Sequence, residues 1–208
     1  MIIAVDGPAA SGKGTIAAAL ARHFSLPHLD TGLLYRAVGR EVRAYVDLPD
    51  FEERAVAAAR ALDADAVEPE FLLGADMGTL ASRVAVFPGV RAALFEAQRS
   101  FATRPQGAVL DGRDIGTVIA PDADAKLFIV AESGVRAERR ALQIESRGIV
   151  VDRDAMRADI VSRDERDATA PHGGFRRAED AHLLDTTSLD IEAAIKAAIA
   201  IVEAAIAR

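Results

Sequence analysis

Ile2-Ile-Ala-Val-Asp6 is a short apolar run, and it passes straight into Gly7, Pro8, Ala9, Ala10, Ser11, Gly12, Lys13, Gly14 and Thr15. A run of this kind, bounded by a glycine-rich turn, reads as a strand buried on both faces. From residue 13 to about 24 the pattern becomes helical. Strand, glycine-rich turn and helix in that order form a phosphate-binding loop. Its backbone N–H groups turn inward around an anion, and the helix N-terminus adds its dipole. Lys13 stands where it reaches the β- and γ-phosphates of a nucleotide as a point charge. The strict motif places Ser or Thr directly after the lysine. Gly14 stands there instead, so a Mg²⁺ ion would rely on Thr15, on water and on substrate phosphates.

Outward from this loop, four more apolar runs recur at Pro27–Asp30, Ala108–Asp111, Lys126–Val130 and His182–Asp185. Each ends in Gly, Thr, Ser or a polar turn and leads into a longer pattern. Helices are expected over 13–24, 32–46, 51–61, 90–104, 134–147, 153–166 and 190–207, the last with Thr187 and Asp190 as a capping box. Strands alternating with helices give βαβ units and a mostly parallel sheet. The expected class is therefore α/β with helices on both faces, in a single domain spanning 1–208. Two stretches break the alternation. One is about 63–89, punctuated by Pro69, Gly74, Gly78, Pro88 and Gly89; the other is about 136–175, with two charged helical patterns. Inserts at the carboxyl ends of parallel strands are where a ligand crevice is roofed.

Composition narrows the function. The 208 residues carry 25 Lys+Arg against 32 Asp+Glu, a net charge of −7, which disfavours a general nucleic-acid binder. The stretch 136–177 nevertheless holds ten Arg against eight acids, a local excess suited to an anion. Interleaved acids and few aromatics argue against nucleic acid there too. The absence of cysteine excludes disulfide and thiolate chemistry and fits the cytoplasm. No signal peptide or membrane span is legible. The absence of Asn excludes the guanine-reading Asn-Lys-x-Asp of GTPases.

Two further motifs sit at strand ends. Asp30-Thr-Gly-Leu-Leu-Tyr-Arg36 follows the second run, and Asp111-Gly-Arg-Asp-Ile-Gly116 follows the third. Asp111 stands where such a protein keeps the acid that organises Mg²⁺ and its waters. In the pair beside it, the fork of Arg113 suits a phosphate, and the carboxylate of Asp114 suits an amino group such as cytosine N4. Arg163-Asp-Glu-Arg-Asp167 closes the second irregular stretch, with Arg163 and Asp167 four residues apart on one helix face.

Together, and in this order, these strings resemble the bacterial cytidylate (CMP/dCMP) kinases from residue 1 to about 206. Ala81-Ser82 through Phe87-Pro88 to Arg91 looks like the base-binding segment of that family. The resemblance implies a P-loop kinase core with a five-stranded parallel sheet ordered 2-3-1-4-5, a monophosphate-binding insert near 63–89 and a lid near 136–175. It implies transfer of the γ-phosphoryl group of ATP to CMP or dCMP, with Mg²⁺, in pyrimidine nucleotide metabolism. By matched position, Ser82, Arg91 and Asp114 would contact the cytosine, and Arg36 and Arg113 the acceptor phosphate. Arg163 and Asp167 would reach the sugar and phosphate region, and Thr31 would line the acceptor pocket. Arg136, Arg139 and Arg140 would grip ATP phosphates. Lys13, Arg113 and Arg163 are the expected catalytic residues, and Thr15 and Asp111 would serve the metal through water. ATP and the nucleotide acceptor are the expected partners, and a monomer without an obligate protein partner is expected.

Two departures from the family stand out. Many members carry a small antiparallel sheet in the insert, for which this chain has only about 63–89. Ala170 occupies the position of an arginine expected three residues after Asp167, and Arg176 or Arg177 is the expected substitute. Competing readings are a related kinase acting on UMP, AMP or shikimate, and a nucleotide-binding switch that transfers nothing. A switch has no use for a second phosphate site.

Overall fold

The structure is a computed structural model, and it describes residues 1–68, 72, 76–146, 148–169 and 175–207. Pro69, Gly74, Ala170 and residues 171–174 lie outside the described residues. Five strands form one sheet: β1 (Ile2–Asp6), β2 (His28–Asp30), β3 (Ala108–Gly112), β4 (Ala125–Val130) and β5 (His182–Asp185). Their order is β2-β3-β1-β4-β5. β1 pairs in parallel with β3 and β4, and β4 with β5. The order expected from the family resemblance is the one found. Strand ends differ from the sequence reading by one residue at most, since β-branched and leucine runs leave little freedom once both faces are covered.

Helices α1 (Lys13–Phe24), α2 (Thr31–Glu41), α3 (Phe51–Ala61), α4 (Met77–Val84), α5 (Pro88–Ala102), α6 (Ser133–Glu145), α7 (Arg153–Thr169) and α8 (Ile191–Ile206) complete the chain. Two details depart from expectation. The helix expected over 32–46 stops at Glu41 and continues only as a 3₁₀ turn, Arg43–Tyr45. The capping box expected from Thr187 does not form. Asp190 is itself the N-cap of α8 and accepts from the Ala193 amide at 2.7 Å, while the Thr187 hydroxyl turns back to Asp185.

The chain divides into two compact units. The first, 1–29 with 102–208, is built on the sheet. Ile3 and Val5 of β1, Val109, Leu127 and Ile129 of its neighbours, Ile16 and Leu20 of α1 and Val202 of α8 form one core. Fully burying an aliphatic side chain of this kind contributes about 1.5–3 kcal/mol. The second unit, 30–101, is helical. There α2 packs closely on α4: a Cβ at Gly39 would stand 2.9 Å from the Leu80 Cβ. Within 63–89, α4 occupies part of what sequence punctuation marks as irregular. No strand occurs among the described residues of that stretch.

Candidate active site

The phosphate loop owes its shape to two glycines. Gly12 adopts φ +91° as the N-cap of α1, and no side chain caps that helix. The first amides of a helix have no partner within the helix itself, which suits this end to an anion. At Gly7 a Cβ would fall 2.4 Å from the Ile129 carbonyl, so only glycine lets β1 turn beside β4. The loop's carbonyls are braced from outside. Arg136 Nη1 donates to the Ala9 carbonyl at 3.1 Å. The Thr186 hydroxyl, at the end of β5, donates to the Ser11 carbonyl at 3.0 Å. Lys13 is the first residue of α1, and Thr15 lies exposed two residues on.

Arg136 and Arg139, read from sequence as phosphate-gripping arginines, have protein partners here. Arg136 is buried, forks onto both oxygens of Asp164 and also donates to the Ala131 carbonyl at 2.8 Å. Arg139 donates to the Thr186 hydroxyl at 3.0 Å and to the Thr186 carbonyl at 2.6 Å. Arg140 reaches Gln143 at 2.7 Å.

Asp111 is buried near the end of β3, and its Oδ2 lies 2.8 Å from His28 Nε2. The carboxylate faces the start of α1, since a Cβ at Gly14 would stand 3.8 Å from Oδ1. The next residues gather what the sequence spaced far apart. Arg113 Nε donates to Asp167 Oδ2 at 2.7 Å, and its guanidinium lies 5.7 Å from the Phe175 ring centroid. Phe175 stacks on Phe128 at 5.0 Å, and its amide donates to the Asp167 carbonyl at 3.3 Å. Arg163 Nε lies 3.1 Å from Asp159 of the same helix. Arg163 and Asp167, four residues apart on α7, thus contact Asp159 and Arg113 respectively.

Asp114 precedes a π-turn, Ile115–Ile119, that the sequence reading did not anticipate. Asp6 holds that turn, with Oδ1 accepting from the Ile115 amide and Oδ2 from the Gly116 amide, each at 2.8 Å. Burial pushes the Asp6 carboxyl up to about 6, against the pull of those two amides. Asp6, His28, Asp164 and Phe175 were not singled out from sequence. An acid closing an apolar strand and a histidine opening another are the signals that could have found the first two.

On the helical unit, Thr31 begins α2 beneath the Asp30 cap, whose Oδ1 accepts from the Gly32 amide at 2.9 Å. Arg36 is on α2, Ser82 on α4 and Arg91 on α5, all partly exposed. The Ser82 hydroxyl donates to the Gly78 carbonyl at 3.0 Å.

A parallel sheet in this order, with a braced phosphate loop after β1 and a buried acid at the end of β3, defines a P-loop phosphotransferase. The comparisons narrow that class. The family profile described as cytidylate kinase matches residues 3–204. A cytidylate kinase of Methylocella silvestris is 56% identical over 99% of this chain and 95% of its own length. One of Azorhizobium caulinodans is 55% identical over 99% of each chain. The chain belongs to the cytidylate kinase family. At the level of fold alone, an uncharacterized protein of Eubacterium ventriosum aligns with TM-score 0.56 at 16% identity, covering 98% of both chains.

Proposed function

We propose that this chain transfers the γ-phosphoryl group of ATP to CMP or dCMP, giving ADP and CDP or dCDP. The observation that carries the reading is the joining of two motifs at the ends of β1 and β3. The phosphate loop starts from Asp6, and the same carboxylate holds the turn that follows Arg113 and Asp114. A donor site and an acceptor-reading pair thus share one support.

An oxygen of the CMP phosphate attacks the γ-phosphorus in line, and the bond to the bridging oxygen of ADP breaks. That oxygen is already a nucleophile, so the protein's work is positioning and charge neutralisation. The loop from Gly7 to Thr15, its carbonyls tied outward by Arg136 and Thr186, presents N–H groups to the β- and γ-phosphates. Lys13 follows the charge as it moves to the leaving oxygen. Arg113 and Arg163 serve the moving phosphoryl group, and Asp167 orients Arg113. Arg139 and Arg140 belong to the 136–175 lid. Asp114 reads the cytosine amino group. On the helical unit, Thr31, Arg36, Ser82 and Arg91 are the acceptor contacts, with 63–89 as the monophosphate-binding insert.

The site's hard oxygen donors suit Mg²⁺: Asp111 faces the loop beside Gly14, and Thr15 follows it. When bound, the ion offsets negative charge on the β- and γ-phosphates. Asp111 and Thr15 would hold it through its waters. The reading takes the enzyme to act as a monomer without an obligate protein partner. Among the described residues no helix is long and apolar enough to cross a membrane. We assign the enzyme to the cytoplasm, where both nucleotides are available.

The test is an acceptor panel of CMP, dCMP, UMP, AMP and GMP with Mg-ATP. Turnover highest with CMP or dCMP is expected. Preference for another acceptor, or ATP binding without transfer, overturns the reading.

A further inference from the structure

Asp6 closes an otherwise apolar strand and is 4% exposed. A carboxylate so placed is costly unless its lone pairs are used. Both oxygens are used, on consecutive amides of one turn, Ile115 and Gly116. That turn closes on Asp114 from the other side, since the Val118 and Ile119 amides donate to the Asp114 carbonyl at 2.8 and 3.2 Å. The backbone of Asp114 is therefore fixed before and after its own side chain. Gly116 belongs to the same fit, because a Cβ there would stand 3.3 Å from Asp6 Oδ2 and 3.2 Å from the Lys126 side chain. Upstream, the Gly7 amide donates to the Gly112 carbonyl at 3.3 Å, and the β1–β3 register sets Asp6 opposite Gly112. Residues 112–116 thus hang from Asp6 and Gly7 by three hydrogen bonds.

We propose that Asp6 is a positioning residue that aims the Arg113–Asp114 pair, and so sets acceptor selectivity without touching the substrate. The inference rests on Asp114 being the reader of the base. A recognition group placed off target by a fraction of an ångström loses discrimination before it loses affinity for the other substrate. The charge of Asp114 acts on the Asp6 carboxyl and reinforces its upward shift, and that of Arg113 opposes it, so the three groups are electrically coupled.

Asp6→Asn keeps the shape and one acceptor but turns an NH₂ group toward an amide N–H. The CMP/UMP ratio of kcat/KM is expected to fall about tenfold or more, as when a supporting partner of a binding group is removed. KM for ATP should stay within about twofold, the split that separates acceptor from donor binding. Ile3→Val, a core change in the same strand, serves as the stability control and should leave the ratio unchanged. Gly116→Ala presses on Asp6 from the other side and should lower the ratio with Asp6 intact. If Asp6→Asn does not fold, Gly116→Ala decides the matter. A less stable Asp6→Asn enzyme with the parental ratio makes Asp6 structural and overturns the inference, as does an unchanged ratio in Gly116→Ala when the asparagine variant cannot be obtained. Asp114→Ala separates the two levels. Loss of discrimination there, with the parental ratio in Asp6→Asn, overturns only the role of Asp6. Retention in Asp114→Ala overturns the base reading and the inference with it.

Discussion

Arg136 of α6 holds Asp164 of α7 by both carboxylate oxygens, and with the same guanidinium it reaches back to the Ala9 carbonyl of the phosphate loop. One buried side chain therefore ties two charged helices to the turn that receives ATP. Removing one member of a buried pair costs more than the pair contributes, because the survivor keeps its desolvation penalty. Asp164 is one-third exposed, which lets water soften the loss. Asp164→Ala is expected to destabilise the protein by about 2–3 kcal/mol in urea unfolding. Arg136→Met with Asp164→Ala should cost less than the sum of the single changes. Additive losses would show that the two side chains do not depend on each other.

Lys13 opens the helix at the mouth of the loop, where a fixed charge is worth most as negative charge moves to the bridging oxygen. Lys13→Met should lower kcat by about 10²–10³ or more while the circular dichroism spectrum and melting curve stay near the parent's. A folded variant with near-normal turnover would remove the loop from the mechanism.

Asp6 makes a separate statement about pH. Burial, with help from Asp114, raises its carboxyl from 3.8 to about 6, while the Gly116 and Ile115 amides and Arg113 pull it down. Between those values the native state keeps a proton that the unfolded chain has released. The contribution of this group to stability is therefore full below about pH 4 and is lost as pH rises to about 6, after which it is flat. The stability difference between the parent and Asp6→Asn should shrink by about 2–3 kcal/mol from pH 4 to pH 7. Subtracting the variant removes the other carboxylates from the comparison. A flat difference would mean that Asp6 is ionised throughout.

The parallel order of motifs along the chain made the sheet and the phosphate loop legible. Buried runs such as Ile2–Asp6 have one stable use, and glycines at 7 and 12 tolerate geometry other residues do not. The site's interior was less legible, because a charged side chain's partner is decided by tertiary packing. Spacing puts Asp167 on one helix face with Arg163, but says nothing of Arg113, which Asp167 meets across the fold from 54 residues away. Arg136 is an ATP-phosphate candidate by its matched position in the family, and its burial against Asp164 and Ala9 appears only when α6 and α7 pack. The π-turn after Asp114 has no sequence period to betray it. It exists because a strand-end carboxylate offers two acceptors to two adjacent amides.

Phe175 bears on the arginine that the family pattern expects where Ala170 stands. Its ring packs on Phe128, its amide bonds the Asp167 carbonyl, and the Arg113 guanidinium lies near its face. The chain is thus pinned beside the Arg113–Asp167 pair immediately before Arg176 and Arg177, both of which are exposed. A CMP phosphate carries up to two negative charges, and taking away one charged partner from such a group typically costs about 2–5 kcal/mol. Arginines one and two residues beyond the Phe175 anchor can supply that partner, since their long side chains span several ångströms from a fixed backbone. Arg176→Ala with Arg177→Ala is expected to raise KM for CMP and to lower kcat/KM by more than about tenfold. KM for ATP should change little, because the donor phosphates are held by the loop after β1. Phe175→Ala should reproduce part of the defect with both arginines present, by releasing the segment that carries them. Parental CMP kinetics in the double variant would assign the acceptor phosphate to Arg36 and Arg113 alone and leave Phe175 as packing for β4.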